Sequence, residues 1–104
     1  MGWVNISAIP ISKKWQFSEL LDPSVEWVRI RHSLSEPSTF TYGQFAQVDN
    51  FLNFYDKRRI YPQSENEIFK IVAPPMFSSR RIGIRKTSKE YSSLTWTAYI
   101  DIYV

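Results

Sequence analysis

Cysteine is absent from these 104 residues. That excludes a disulfide framework, a thiolate metal site and a cysteine nucleophile, and it suits a reducing compartment. Glycine is scarce: Gly2, Gly43 and Gly83 are the only three, too far apart for a glycine-rich loop that cradles phosphate. Histidine occurs once, at His32, so a zinc site would need carboxylates for its other protein ligands; no metal or cofactor is expected. No apolar run approaches the ~20 residues of a membrane-spanning helix, so no membrane partner is expected. Met1–Asn5 lacks the basic and apolar regions of a signal peptide, and Ile6 stands where a myristoylation signal would carry Ser or Thr. The chain begins at Met1 and reads as a complete small open reading frame, expected to be made and kept in the cytoplasm.

What is abundant is aromatic. Tryptophan, tyrosine and phenylalanine (4, 6 and 7 residues) make up 16% of the chain, which suits the core of a small β domain. The length implies one domain, residues 1–104. The formal charge of +3 is modest, and the basic residues gather in a few places: Lys13-Lys14, Arg29 and Arg31, Lys57-Arg58-Arg59, and Arg80, Arg81, Arg85, Lys86 and Lys89.

The chain is organised around its C-terminal run. From Leu94 to Val104 it alternates without a break, with Leu94, Trp96, Ala98, Ile100, Ile102 and Val104 on one side. Thr95, Thr97, Tyr99, Asp101 and Tyr103 occupy the other. A period of two with β-branched and aromatic residues predicts a half-buried strand. So apolar a strand must be paired on both edges, because an open edge would template aggregation.

Earlier segments follow the same period. Trp3–Ile9 predicts a first strand stopped by Pro10, and Lys13–Leu21 reads as extended or a single turn up to Asp22-Pro23-Ser24. Val25–Ser33 predicts a strand with Val28, Ile30 and His32 on one face and Trp27, Arg29 and Arg31 on the other. Phe40–Val48 predicts another, its phase slip near Gly43 suggesting a bulge. Phe51–Tyr61 reads as a hairpin arm with a further turn near Asp56-Lys57. Ile68–Ala73 is a short strand, and Ser79–Thr87 turns Ile82 and Ile84 inward with Arg81 and Arg85 outward. About seven to eight short strands without a convincing helix predict an all-β fold: a small, jelly-roll-like sandwich, with a compact barrel as the alternative.

Val25-Glu26-Trp27-Val28-Arg29-Ile30 resembles the aromatic-Val-Arg-Ile strand of galactose-binding-like and discoidin-type jelly rolls. The resemblance covers core-forming residues, and it implies the sandwich rather than a ligand. The short, cysteine-free, aromatic-rich profile is similar to that of small virion proteins of tailed phages, which decorate capsids or complete heads and tails.

Chemistry is hard to find. No Gly-x-Ser-x-Gly occurs, and the single histidine reads as tucked at the end of its strand. Asp49, Asn50, Asn53 and Asp56 lack the glycine and terminal glutamate of an EF-hand and are better explained as turn residues. Glu65 and Glu67 make an acid/base pair only on paper. Arg81 and Arg85 with Arg29 and Arg31 would form one cationic sheet face, and Tyr42, Tyr55 and Tyr61 are the rings that could stack on bases. Outward arginines on half-buried strands ordinarily face solvent or salt-bridge at protein interfaces, so protein partners are expected ahead of nucleic acid. The reading is therefore a non-enzymatic structural or assembly protein: a small virion component of a tailed phage, such as a capsid decoration or head–tail protein. It is expected to act through protein–protein contacts as a homo-oligomer or part of a larger assembly, in the producing cell or the virion. Trp3, Tyr99, Tyr103, Arg81 and Arg85 are its expected interface. A carbohydrate- or ligand-binding sandwich is the alternative.

Overall fold

In the computed structural model the described residues are 2–33, 43–49, 51–60, 67–71, 80–87 and 96–104. They form eight strands: β1 (Trp3–Pro10), β2 (Gln16–Phe17), β3 (Trp27–His32), β4 (Gly43–Asp49), β5 (Phe54–Ile60), β6 (Glu67–Lys70), β7 (Arg80–Lys86) and β8 (Thr97–Tyr103). Two four-stranded antiparallel sheets result, ordered β1-β8-β3-β6 and β2-β7-β4-β5. The chain switches sheets at every connection except the β4–β5 hairpin. That path gives the double-sheet, Greek-key arrangement of a jelly roll. The closing strand β8 lies between β1 and β3, paired on both edges as its apolar alternation requires.

The inner faces supply the core. Val28 and Ile30 from β3, Ala98 and Ile100 from β8, and Ile82 and Ile84 from β7 are fully buried. Phe45 of β4 stacks on Phe69 of β6 at 4.3 Å and 13°, joining the two sheets through one ring pair. Trp96 is buried beside them, and its Nε1 donates to His32 Nδ1 at 3.1 Å. Indole only donates, so this bond places the proton of a neutral imidazole on Nε2. Gln47 is the core's polar tie: its amide donates to the Lys70 carbonyl at 3.0 Å and to Asp56 Oδ2 at 3.3 Å, linking β4 to β6.

The strand irregularities are not where the sequence pattern suggested. Gly43–Asp49 runs in unbroken register with β7, so β4 has no bulge at Gly43. Glycine is needed there for close approach, because a Cβ would stand 2.8 Å from the Arg85 carbonyl oxygen. The extra residue lies opposite, in β5 between Tyr55 and Arg58, where Asp56 takes φ 51°. The Asp56-Lys57 turn signal is thus a bulge within one strand. Because β4 itself stays regular, Gln47 turns inward with Phe45 and Val48 turns outward. A second bulge near Ile6 lets both Val4 and Ile9 share the inner side of β1. The inward side of the C-terminal run is borne out from Trp96 to Ile100, while Val104 is exposed. Leu94, Thr95 and residues 40–42 and 72–73 of the expected strands lie outside the described residues.

Candidate binding faces

Each sheet turns an outer face to solvent, and the two are built differently. On the first sheet, register sets Asn5, Asp101 and Arg29 side by side on β1, β8 and β3. Asp101 belongs to the outer side as its phase requires, yet only 1% of its side chain is accessible. Three neighbours cover it. Arg29 reaches Oδ2 at 2.8 Å, Arg31 Nε donates to Oδ2 at 2.6 Å, and Arg31 Nη2 and Asn5 Nδ2 each donate to Oδ1 at 3.1 Å. Burial alone would raise the carboxyl's pKa, but the bonds from Arg31, Asn5 and Arg29 outweigh it and hold the group below the ordinary carboxylate range. The bond to Asp101 likewise raises the pKa of Arg31.

Aromatic rings frame this ionic centre. The Arg29 guanidinium lies 4.8 Å from the Trp3 ring, and that of Arg31 lies 5.0 Å from Tyr99. Trp3 meets Tyr103 edge-on at 5.3 Å. One register step beyond the Val28–Ile102 pair, Trp27 stands in line with Tyr103 and opposite Lys70. Trp3, Tyr103 and Trp27 therefore make a row across three adjacent strands, with Trp27 and Tyr103 still 41% and 42% exposed. Ile68, 53% exposed, continues the apolar surface beside Arg29. The β4–β5 turn projects at the same end of the sandwich, since Gln47 beneath it bonds to Lys70, the partner of Trp27. Its tip exposes Phe51 (71%) and Leu52 (65%), and Leu52 is held at φ 61°. A branched residue in that left-handed conformation costs energy unless something else selects it.

Asp49 fixes the turn. Its Oδ1 accepts from the backbone N–H groups of Phe51 and Asn53, and its Oδ2 from the Asn53 amide and the Tyr55 hydroxyl. Burial opposes these bonds, but together they leave the Asp49 carboxyl below its ordinary value. This is the turn role expected of Asp49. Tyr55 thereby faces inward with its hydroxyl committed, and Tyr42, Asn50, Tyr61 and Glu65 lie outside the described residues. Glu67 lies with an oxygen 3.9 Å from His32 Nε2.

On the second sheet the outer face is carpeted. Trp15 packs on Phe54 at 4.9 Å, and Phe17 on Phe54 at 6.2 Å, above Gly83. A Cβ on Gly83 would meet Val48, Phe17 and Trp15 at 3.1–3.3 Å, so glycine lets the rings settle onto the sheet. Arg81 Nη1 donates to the Ser18 carbonyl at 2.9 Å. Arg85 Nε donates to Gln44 Oε1 at 2.9 Å, and its guanidinium lies 4.8 Å from the Trp15 ring.

The expected interface residues thus divide. Trp3, Tyr99 and Tyr103 come together on the first sheet, whereas Arg81 and Arg85 belong to the second. The single cationic face joining Arg29 and Arg31 to Arg81 and Arg85 does not exist, because β3 and β7 are in different sheets. The outward side of Trp27 is as its phase with Arg29 and Arg31 predicts, but neither Trp27 nor Ile68 was among the expected interface residues; their signal was an apolar residue on an otherwise outward-facing stripe. Among the described residues no group of three His, Asp or Glu could hold a metal ion, and no helix is long and apolar enough to cross a membrane. No protein-family model, curated protein or solved structure matches the chain.

Proposed function

We propose that this chain is a non-enzymatic assembly protein whose outer β1-β8-β3-β6 face seats against another protein surface. The observation that carries the reading is the row of Trp3, Tyr103 and Trp27 over a prearranged Asp101–arginine centre. Tryptophan, tyrosine and arginine are the residues that dominate protein interfaces. Here Trp3 is already held between Arg29 and Tyr103, so binding would order little of that pair that is not ordered beforehand. The exposed Phe51-Leu52 tip extends the same apolar end. A small virion component of a tailed phage, in several copies on a larger particle, is the specific form of this reading; the jelly roll is used by capsid proteins, an analogy of fold only. The test is light scattering and co-sedimentation with the native assembly. The wild-type chain should run as an oligomer or associate with particles, and Trp27→Ser with Tyr103→Ser should abolish that while leaving the thermal midpoint nearly unchanged. A strictly monomeric chain that joins no assembly would reject the proposal.

The same row favours one second reading, a carbohydrate-binding sandwich, since sugar rings stack on exposed tryptophan and tyrosine faces such as those of Trp27 and Tyr103. Glycan-dependent shifts in tryptophan fluorescence, lost in Trp27→Ser without change of mass, would select it.

A further inference from the structure

The second sheet carries a feature unconnected with that row. Register sets Arg85, Gln44 and Arg59 side by side on β7, β4 and β5. Lys57, Arg58 and Thr87 complete the surround of a cleft of about 480 Å³, whose remaining described lining residue is Gly43. Four of its side chains are cationic, and no carboxylate lines it among the described residues. Arg58 is partly neutralised by Asp56 at 2.9 Å. Arg85 is held by neutral groups instead: the Gln44 carbonyl oxygen takes its Nε, and the Trp15 ring supports its plane. Lys57 lies 5.6 Å from the Phe54 ring. The arginine is thus positioned with no carboxylate against it among the described residues. This is the opposite of the Asp101 centre, where a carboxylate consumes the charge.

We infer that this cleft binds a phosphate group, with Arg85 and Lys57 as the principal cations and Gln44 and Thr87 as neutral hydrogen-bonding groups. A guanidinium immobilised by stacking offers a fork that matches phosphate geometry, and a flexible ammonium opposite adds a point charge. The volume exceeds that of one phosphate, so the group would arrive on a larger molecule or as a condensed phosphate. One source is pyrophosphate; the other is the backbone of a single strand whose bases stack on Phe17 and its neighbours, the arrangement that sequence-tolerant single-strand binders use.

The experiment is calorimetric titration at low salt of the full chain with inorganic pyrophosphate and, separately, with an oligothymidylate. Binding of at least one is expected. Pyrophosphate alone would identify a condensed-phosphate site, and tighter oligothymidylate binding with a steep inverse salt dependence would identify the strand backbone. Lys57→Gln, a change of an exposed side chain, should weaken the bound probe about tenfold and lower a salt slope by about one. Arg85→Gln should weaken it at least as much, and Lys14→Gln, the same charge change outside the cleft, should leave it unchanged. The inference is overturned if neither probe binds, or if Lys14→Gln and Lys57→Gln reduce binding equally.

Discussion

Arg29 and Arg31 on β3 and Arg81 and Arg85 on β7 occupy comparable stations. Both pairs point outward from interior strands of four-stranded sheets, and both lie against aromatic rings or backbone. Their chemistry diverges because of the residue that register sets beside them. Arg29 pairs across to Asp101, and the carboxylate gathers Arg31 as well. Arg85 pairs across to Gln44, with Arg59 on its far side. One face therefore closes its charges into an ionic centre, while on the other the described neighbours of Arg85 are a neutral amide and an aromatic ring. Whether a sheet arginine is structural or available is decided by its cross-strand neighbour and not by its own strand.

The largest expected effect removes the shared core beneath both faces. Trp96→Ala should cost about 3–5 kcal/mol, from the cavity it leaves and the donor it takes from His32. Chemical denaturation with an unchanged midpoint would contradict the inward side of β8.

Next comes the centre of the first face. Asp101→Ala should cost about 3 kcal/mol, since it leaves two arginines around a site built for an anion, with solvent reaching both and moderating the loss. The same residue fixes a pH dependence. Its carboxyl is depressed in the folded chain, so its stabilisation is present in full above the unfolded value of about 3.9 and is lost as pH falls below that toward the folded value. Asp101→Asn should flatten this acid limb in melts recorded across the range. Asp49, also depressed, should retain its own share, and an acid limb identical to wild type would show that Asp101 is not held as described.

The second face should yield less. Gly83→Val should cost about 2 kcal/mol by lifting Trp15 and Phe17 from the sheet. Near-ultraviolet circular dichroism should report the displaced rings, and an unaltered aromatic spectrum would refute the packing. Smallest is Arg81→Ser with Arg85→Ser, at about 1–2 kcal/mol together, for two part-exposed hydrogen bonds, to the Ser18 carbonyl and to Gln44, and one cation–ring contact. If that double change costs as much as Asp101→Ala, the contrast between the faces fails.

Much of the strand pattern was legible because a period of two needs no partner to be read. Val28, Ile30, Ile82, Ile84, Ala98 and Ile100 all turn inward as their alternation requires. The bulge in β5 was half visible: Asp56-Lys57 signalled an interruption, but only β4 pairing on both sides shows it to be an extra residue instead of a turn. The outward side of Trp27 was legible from its phase with Arg29 and Arg31, but its place in a row with Trp3 and Tyr103 was not, because that row exists only once β1, β8 and β3 are paired.

The sequence by itself determined an all-β chain, the inward stripe of each long strand and a closing strand that had to be central. These follow from local alternation and from the cost of exposing an apolar edge. Tertiary structure decided which strands became neighbours. That choice buried Asp101 under Arg29, Arg31 and Asn5, and separated β3 from β7 into different sheets. It also set Gln44 between two arginines. These are contacts between residues far apart in the chain, fixed only when antiparallel pairing sets the register.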